Sequence, residues 1–148
     1  VKGLQTGQIQ FLYAPTHLNP TYEYGVTFER GTAVTYGDRK QIFISGTASI
    51  DNQGEIMYPG DILKQTERML ENIDTLLQEA GGGLQDIMQA IVYLRDPADY
   101  VVVKQYIESR YPSFLHLIVH APVCRPGWLI ETECIAVIPA DAPQYAYL

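Results

Sequence analysis

The sequence predicts one α+β domain: a single, mostly antiparallel sheet with two helices on one face and the other face left for self-association. Three observations predict it. A helix-period stripe of apolar residues runs from Ile62 to Ala80 and stops at Gly81-Gly82-Gly83. Strand-type runs surround this helix and a second one, in the order β-β-α-β-α-β-β. Two helices placed this way cover one side of a sheet, so the other side stays apolar and calls for a partner.

The elements follow in order. Residues 1–25 contain Pro15, Pro20 and many aromatics, and read as an irregular, packed N-terminal arm. The domain proper is expected over 26–138, with a tail over 139–148. Runs at 26–36 and 41–45 are β-rich and joined by Gly37-Asp38-Arg39-Lys40, which predicts a hairpin. A loop over 50–60 holds the turn residues Asp51-Asn52-Gln53-Gly54. From Asp61 onward Ile62, Thr66, Met69, Leu70, Ile73, Leu76, Leu77 and Ala80 form one face against Lys64, Glu67, Arg68, Glu71 and Asp74. The run 87–94 is almost wholly apolar and reads as a buried strand. Asp96 is placed as an N-cap with Pro97 at the first helical position, which starts a second helix ending near Arg110. Strands at 115–120 and 129–138 are split by turn residues between Pro122 and Gly127.

Composition excludes some function classes. At 148 residues, 47% of them apolar and 18% charged, the chain can bury a continuous core. No apolar run approaches the ~20 residues that a membrane-crossing helix requires. The net charge is −7 and the ten Lys and Arg are scattered, so neither nucleic acid nor an acidic membrane surface is an expected partner. Cys124 and Cys134 show no C-x-x-C or secreted-framework spacing, which makes reduced thiols and a cytoplasmic setting the expectation. The start, Val1-Lys2-Gly3-Leu4-Gln5, has neither Met nor signal-peptide character, so a trimmed chain or a piece of a longer protein is expected.

The last strand carries the strongest chemical signal. Ile130, Thr132, Cys134, Ala136 and Ile138 alternate with Leu129, Glu131, Glu133, Ile135 and Val137, so two carboxylates share a face with three aliphatics. An ionised carboxylate on a buried face costs several kcal/mol unless paired, hydrogen-bonded or protonated, which marks Glu131 as a candidate acid or base. Pairing with arginines at a subunit contact, or a place at the sheet edge, is the competing use. Cys124 lies seven residues before Glu131 and is a second candidate, with Arg125 beside it. Arg125 is suited either to a substrate carboxylate or to the plain surface. Gly46, in Ser45-Gly46-Thr47-Ala48-Ser49, allows close backbone approach of a ligand, although a bulge explains it equally. His116 and His120 do not form a metal pair, because four strand residues span roughly 13 Å while two ligands of one ion sit ~4 Å apart or less. No metal or cofactor is expected.

Read in order, Ile44-Ser45-Gly46, Gln65-Thr66 with Asn72-Ile73, Ala80-Gly81, Val92-Tyr93-Leu94-Arg95-Asp96, Asp99-Tyr100, Tyr106 and Ile130-Glu131-Thr132-Glu133-Cys134-Ile135-Ala136 resemble the Rid/YjgF family, also labelled endoribonuclease L-PSP. The resemblance implies a chorismate-mutase-like homotrimer with sheets around the centre, helices outside and small-molecule clefts between subunits. It implies Glu131 as the water-activating group, with Gly46 and Ile118 as backbone donors to the ligand. The family's substrate-binding arginine falls on His116, and its N-terminal tyrosine falls on Phe28. One imidazole does not reproduce the bidentate grip of a guanidinium on a carboxylate.

In finer detail, Phe28-Glu29-Arg30-Gly31, Ser45-Gly46-Thr47-Ala48-Ser49-Ile50 and Cys124-Arg125-Pro126 resemble the chorismatases, whose C-terminal half is Rid-like. This resemblance implies enol-ether hydrolysis by a Cys and a Glu seven apart, Cys124 and Glu131. It adds Phe28, Arg30 and Thr47 to the substrate-binding set, and it implies an N-terminal domain missing from this chain. The function expected from both resemblances is hydrolysis of a small carboxylated imine, enamine or enol-ether metabolite. Ligand binding without turnover is the alternative, and ribonuclease activity ranks last because of the charge.

Overall fold

The computed structural model describes residues 3–147. A six-stranded sheet has the order β1-β2-β3-β6-β4-β5, built from β1 (Ile9–Leu12), β2 (Gly31–Thr35), β3 (Arg39–Ala48), β4 (Ile87–Leu94), β5 (His116–His120) and β6 (Ile130–Pro139). Every pairing is antiparallel except β4 with β5, which the helix α2 (Tyr100–Arg110) connects in parallel. The α+β class and the mostly antiparallel sheet expected from sequence are what the chain forms.

The helix α1 (Ile62–Glu79) packs its apolar stripe on β3 and β6. Asp61 caps its start by accepting a hydrogen bond from the Lys64 N–H at 3.0 Å. Its end closes where Gly81 takes a φ of 90° and the Gly82 N–H reaches back to the Leu77 carbonyl. Met69, Leu70, Ile73, Leu76 and Leu77 meet Ile42, Ile44, Ala90, Val92, Cys134 and Ala136 in one core. Burial alternates along β6 as the sequence requires: Ile130, Thr132, Cys134 and Ala136 are buried, while Glu131, Glu133, Ile135 and Val137 occupy the opposite, more open face. On that face Phe43 and Leu117 stay exposed.

Several boundaries differ from the sequence reading. The arm is not wholly irregular, because Ile9–Leu12 adds an edge strand to β2, where exposed backbone groups offer a pairing site. The run expected as a strand over 26–36 is extended only from Gly31. Ahead of it, the buried Arg30 side chain turns away to the backbone and side-chain oxygens of Asn19. The following strand is longer than expected and carries a bulge between Ile44 and Thr47. Asp96 caps as expected, accepting from the Ala98 N–H at 2.9 Å, but Pro97–Asp99 form a 3-10 turn before α2 begins.

Three polar residues lie inside α1's buried face, and one of them, Thr66, donates its hydroxyl to the Ile62 carbonyl at 2.7 Å within the helix. Asn72 donates to the carbonyls of Ala48 and Ile50, both at 3.0 Å. Gln65 donates to the Tyr58 and Gly127 carbonyls and accepts the Leu129 N–H at 3.0 Å, so it clamps the loop that precedes β6. Gln65→Leu removes all three bonds while keeping the volume nearly constant, and should cost about 2 to 3 kcal/mol in urea denaturation. A loss below about 0.5 kcal/mol would show that water replaces the clamp.

Candidate functional site

Glu131 sits on β6, the strand between β3 and β4, and therefore in the middle of the sheet rather than at its edge. Its neighbours across the ladder are Ala48 and Tyr93. None of the ion pairs among the described residues includes Glu131 or Glu133. The two carboxylates have different surroundings. Glu133 is exposed and accepts the Tyr93 hydroxyl at 2.9 Å, and this bond is the main reason that the tyrosine's pKa lies above its ordinary value. Glu131 is half-buried, and desolvation is the largest influence on it. Burial raises its pKa, hydrogen bonds from the Cys124 backbone N–H and thiol oppose that rise, and the charge of Glu133 adds to it, with a net upward shift.

The bulge in β3 explains how Glu131 finds room. Ser45 and Gly46 bow out of the ladder, held where the Ser45 N–H and hydroxyl donate to the carbonyls of Arg30 and Glu29. A Cβ at Gly46 would collide with Glu131 Oε1. The glycine leaves room for the carboxylate where it lies, and a larger residue would push that side chain aside.

Cys124 is brought to Glu131 by the loop over 121–129. Arg95, at the end of β4, organises this loop by donating to the carbonyls of Trp128 at 2.7 Å, Val123 at 2.8 Å and Arg125 at 2.5 Å. The charge of Glu131 is the largest reason that the Cys124 thiol lies above its ordinary pKa, with burial next. Such a thiol is a hydrogen-bond donor rather than a thiolate nucleophile. Cys134, on the core face, is pushed up to about 12 by burial and takes no part in the site.

Glu131, Cys124, Gly46, Arg125, Arg30 and Phe28 line one cavity of about 390 Å³. These are six of the positions singled out from sequence. The other three lie elsewhere. Thr47 faces the core, buried, with its hydroxyl bonded to the Ser45 carbonyl at 2.9 Å. His116 and Ile118 are on β5, the far edge of the sheet, where the His116 ring packs 5.4 Å from Phe114 and its Nδ1 lies 2.8 Å from the Phe114 carbonyl.

Sequence reasoning missed Trp128, which also lines this cavity and lies under the Arg125 guanidinium at 5.4 Å. As the single tryptophan of the chain, just after the Arg-Pro-Gly turn, it was a visible signal. A second, shallower groove reaches Glu131 and Cys124 from the side of Tyr93 and Glu133, so the carboxylate is accessible from two directions. The arrangement offers an acid or base of raised pKa, a thiol donor, a bare backbone at Gly46 and two guanidinium groups near one volume.

A family model described as endoribonuclease L-PSP matches residues 31–138. The 3-aminoacrylate deaminase RutC of Acinetobacter baylyi is 31% identical over 97 residues, which cover 64% of this chain and 77% of RutC. A RutC family protein of Pyrococcus abyssi is 35% identical over 97 residues, covering 64% of this chain and 76% of that one. Among solved structures, E. coli TdcF with bound serine superposes with a TM-score of 0.70 at 21% identity, over 87% of this chain and 98% of that chain. With a family model matching residues 31–138, most of its length, the chain belongs to the Rid/YjgF family, the endoribonuclease L-PSP family.

Proposed function

We propose that the chain is a reactive-intermediate deaminase that hydrolyses the imine or enamine form of a small carboxylated metabolite. The observation that carries this reading is Glu131, a carboxylate of raised pKa on the middle strand, opening into a cavity that two arginines also line. In its ionised form Glu131 takes a proton from water. The resulting hydroxide adds to the imine carbon as the proton passes to nitrogen, giving a carbinolamine; transfer of its hydroxyl proton to the amino group by way of Glu131 then breaks the C–N bond, so that ammonia leaves and a 2-oxo acid remains. RutC, by its name, acts on 3-aminoacrylate, an enamine acid.

Carboxylate recognition in this chain is assigned to Arg125, since the guanidinium of Arg30, the other arginine of the lining, is turned to Asn19. This offsets the histidine at position 116. The reading includes a homotrimer, in which the open face with Phe43, Ile91, Ile135 and Leu117 would be covered on association. Packing β5 of one copy against the cavity of the next would carry His116 and the outward backbone groups of Ile118 to the ligand. An edge strand has such groups to offer.

A second reading, enol-ether hydrolysis of the chorismatase kind, is favoured by the contact between Cys124 and Glu131. There Glu131 would deliver a proton instead of accepting one, and its raised pKa keeps part of it protonated nearer neutrality. The two readings separate on substrate: 2-imino acids generated in place by an amino-acid oxidase for the first, enol-ether acids for the second.

Glu131→Gln should lower kcat for 2-imino acid hydrolysis at least about 100-fold, while light scattering still reports a trimer. Because ionised Glu131 is disfavoured by burial, the same variant should melt no lower than the parent at neutral pH. Full activity in this variant would overturn the assignment. The parent kcat/KM should fall as pH drops through the Glu131 pKa, at a pH above the ordinary carboxylate range. Cys124→Ala deletes a hydrogen bond that lowers that pKa, so the acidic limb should move to higher pH. An unmoved or lowered limb would remove Cys124 from the proton chemistry.

A further inference from the structure

The arm and the segment leading into β2 enclose a second cleft beside the cavity of Glu131, with a volume of about 740 Å³. Its walls are Tyr13, Pro15, Pro20 and Tyr22, and it shares Val26, Phe28 and Arg30 with the first cavity, so the two volumes adjoin across these side chains. All of its lining lies between residues 13 and 30, outside the span 31–138 that the family model matches.

The cleft is held in place by the fold. Glu79, at the end of α1, accepts the Tyr13 N–H at 2.8 Å and the Ala14 N–H at 2.9 Å. Leu18 is buried in the core, and Arg30 binds the backbone and side-chain oxygens of Asn19. Among the described side chains of this stretch, Tyr13 (55%), Tyr22 (76%), Val26 (41%) and Phe28 (39%) nevertheless stay exposed. Charge is sparse, since Glu29 and Arg30 are the charged residues of the lining and the Arg30 guanidinium is turned to Asn19. An aromatic and proline wall with few charges, opening from a cavity that holds the reacting end, suits an apolar group attached to that end.

We propose that this cleft is a specificity subsite that takes an aryl or large alkyl substituent of the carboxylated substrate. The proposal rests on the deaminase reading of the adjoining cavity and names the class of substrate that the cavity accepts: 2-imino acids with bulky apolar side chains. The carboxylate stays near Arg125, the reacting carbon near Glu131, and the side chain passes Val26 and Phe28 into the cleft.

The test uses the 2-oxo acid products, pyruvate and phenylpyruvate, titrated calorimetrically into the full chain. Phenylpyruvate should bind on the order of ten-fold tighter or more, the scale expected for burying one aromatic ring. In Tyr13→Ala/Tyr22→Ala the preference should shrink below about three-fold while pyruvate binding is unchanged. Both tyrosines are exposed, and Tyr22→Ala alone serves as a second variant if the double one does not fold. Equal or absent binding of the two acids by the parent, or a preference that survives both variants, overturns the subsite. Imine hydrolysis measured alongside separates the two claims. Turnover without the aryl preference overturns the subsite alone, and the preference without turnover overturns the deaminase reading alone.

Discussion

A titratable carboxylate on the middle strand of a sheet is the constraint around which the site is arranged. The β6 backbone is committed to ladders on both sides, so the face on which the Glu131 side chain leaves the sheet is fixed. The space it occupies exists because β3 bulges and has no Cβ at Gly46. Partial burial disfavours its charge, and the N–H and thiol of Cys124 restore part of what water would have supplied. The result is a carboxylate whose pKa is raised but not abolished, which suits a group that must both take up and release a proton.

That balance depends on loops whose own positions are set by buried polar side chains. Gln65 and Arg95 each contact several backbone groups of the segment that carries Cys124, Arg125 and Trp128. A loop lying across the end of a sheet has carbonyls and N–H groups without ladder partners, and leaving them dry and unpaired is costly. Two side chains from rigid elements meet much of that demand and define the loop's course at the same time. Gln65 and Arg95 are thus far apart in the chain and act on one short loop.

The arm shows a different relation between family and individual. Sheet, helices and Glu131 lie within the span that the family model matches, whereas Arg30 and the aromatic stretch before it lie outside. Arg30 joins the two parts, because its buried guanidinium holds the arm through Asn19 while its side chain borders the cavity. The proposed reacting end thus lies within the span that the family model matches, and the surface next to it lies before that span.

Much of the fold was legible in order and spacing. The stripe in α1, the glycine that closes it, the Asp96 cap and the alternation along β6 are local patterns enforced by helix and strand periods, and they hold in the structure. Glu131 was visible because a carboxylate among aliphatics violates the pattern around it. The site was legible only in part. Thr47 neighbours Gly46 in sequence, but the bulge turns its side chain into the core. Trp128 gained its role from a loop course that Arg95 and Gln65 impose from other elements. The edge strand in the arm formed because β2 offered unpaired backbone, a feature of the neighbour and not of residues 9–12. The sequence by itself determined which residues alternate, which cap and which break the pattern, since these depend on the nearest neighbours along the chain. Tertiary structure alone decided which of them share a cavity, because that depends on pairing register, a bulge and buried hydrogen bonds between distant segments.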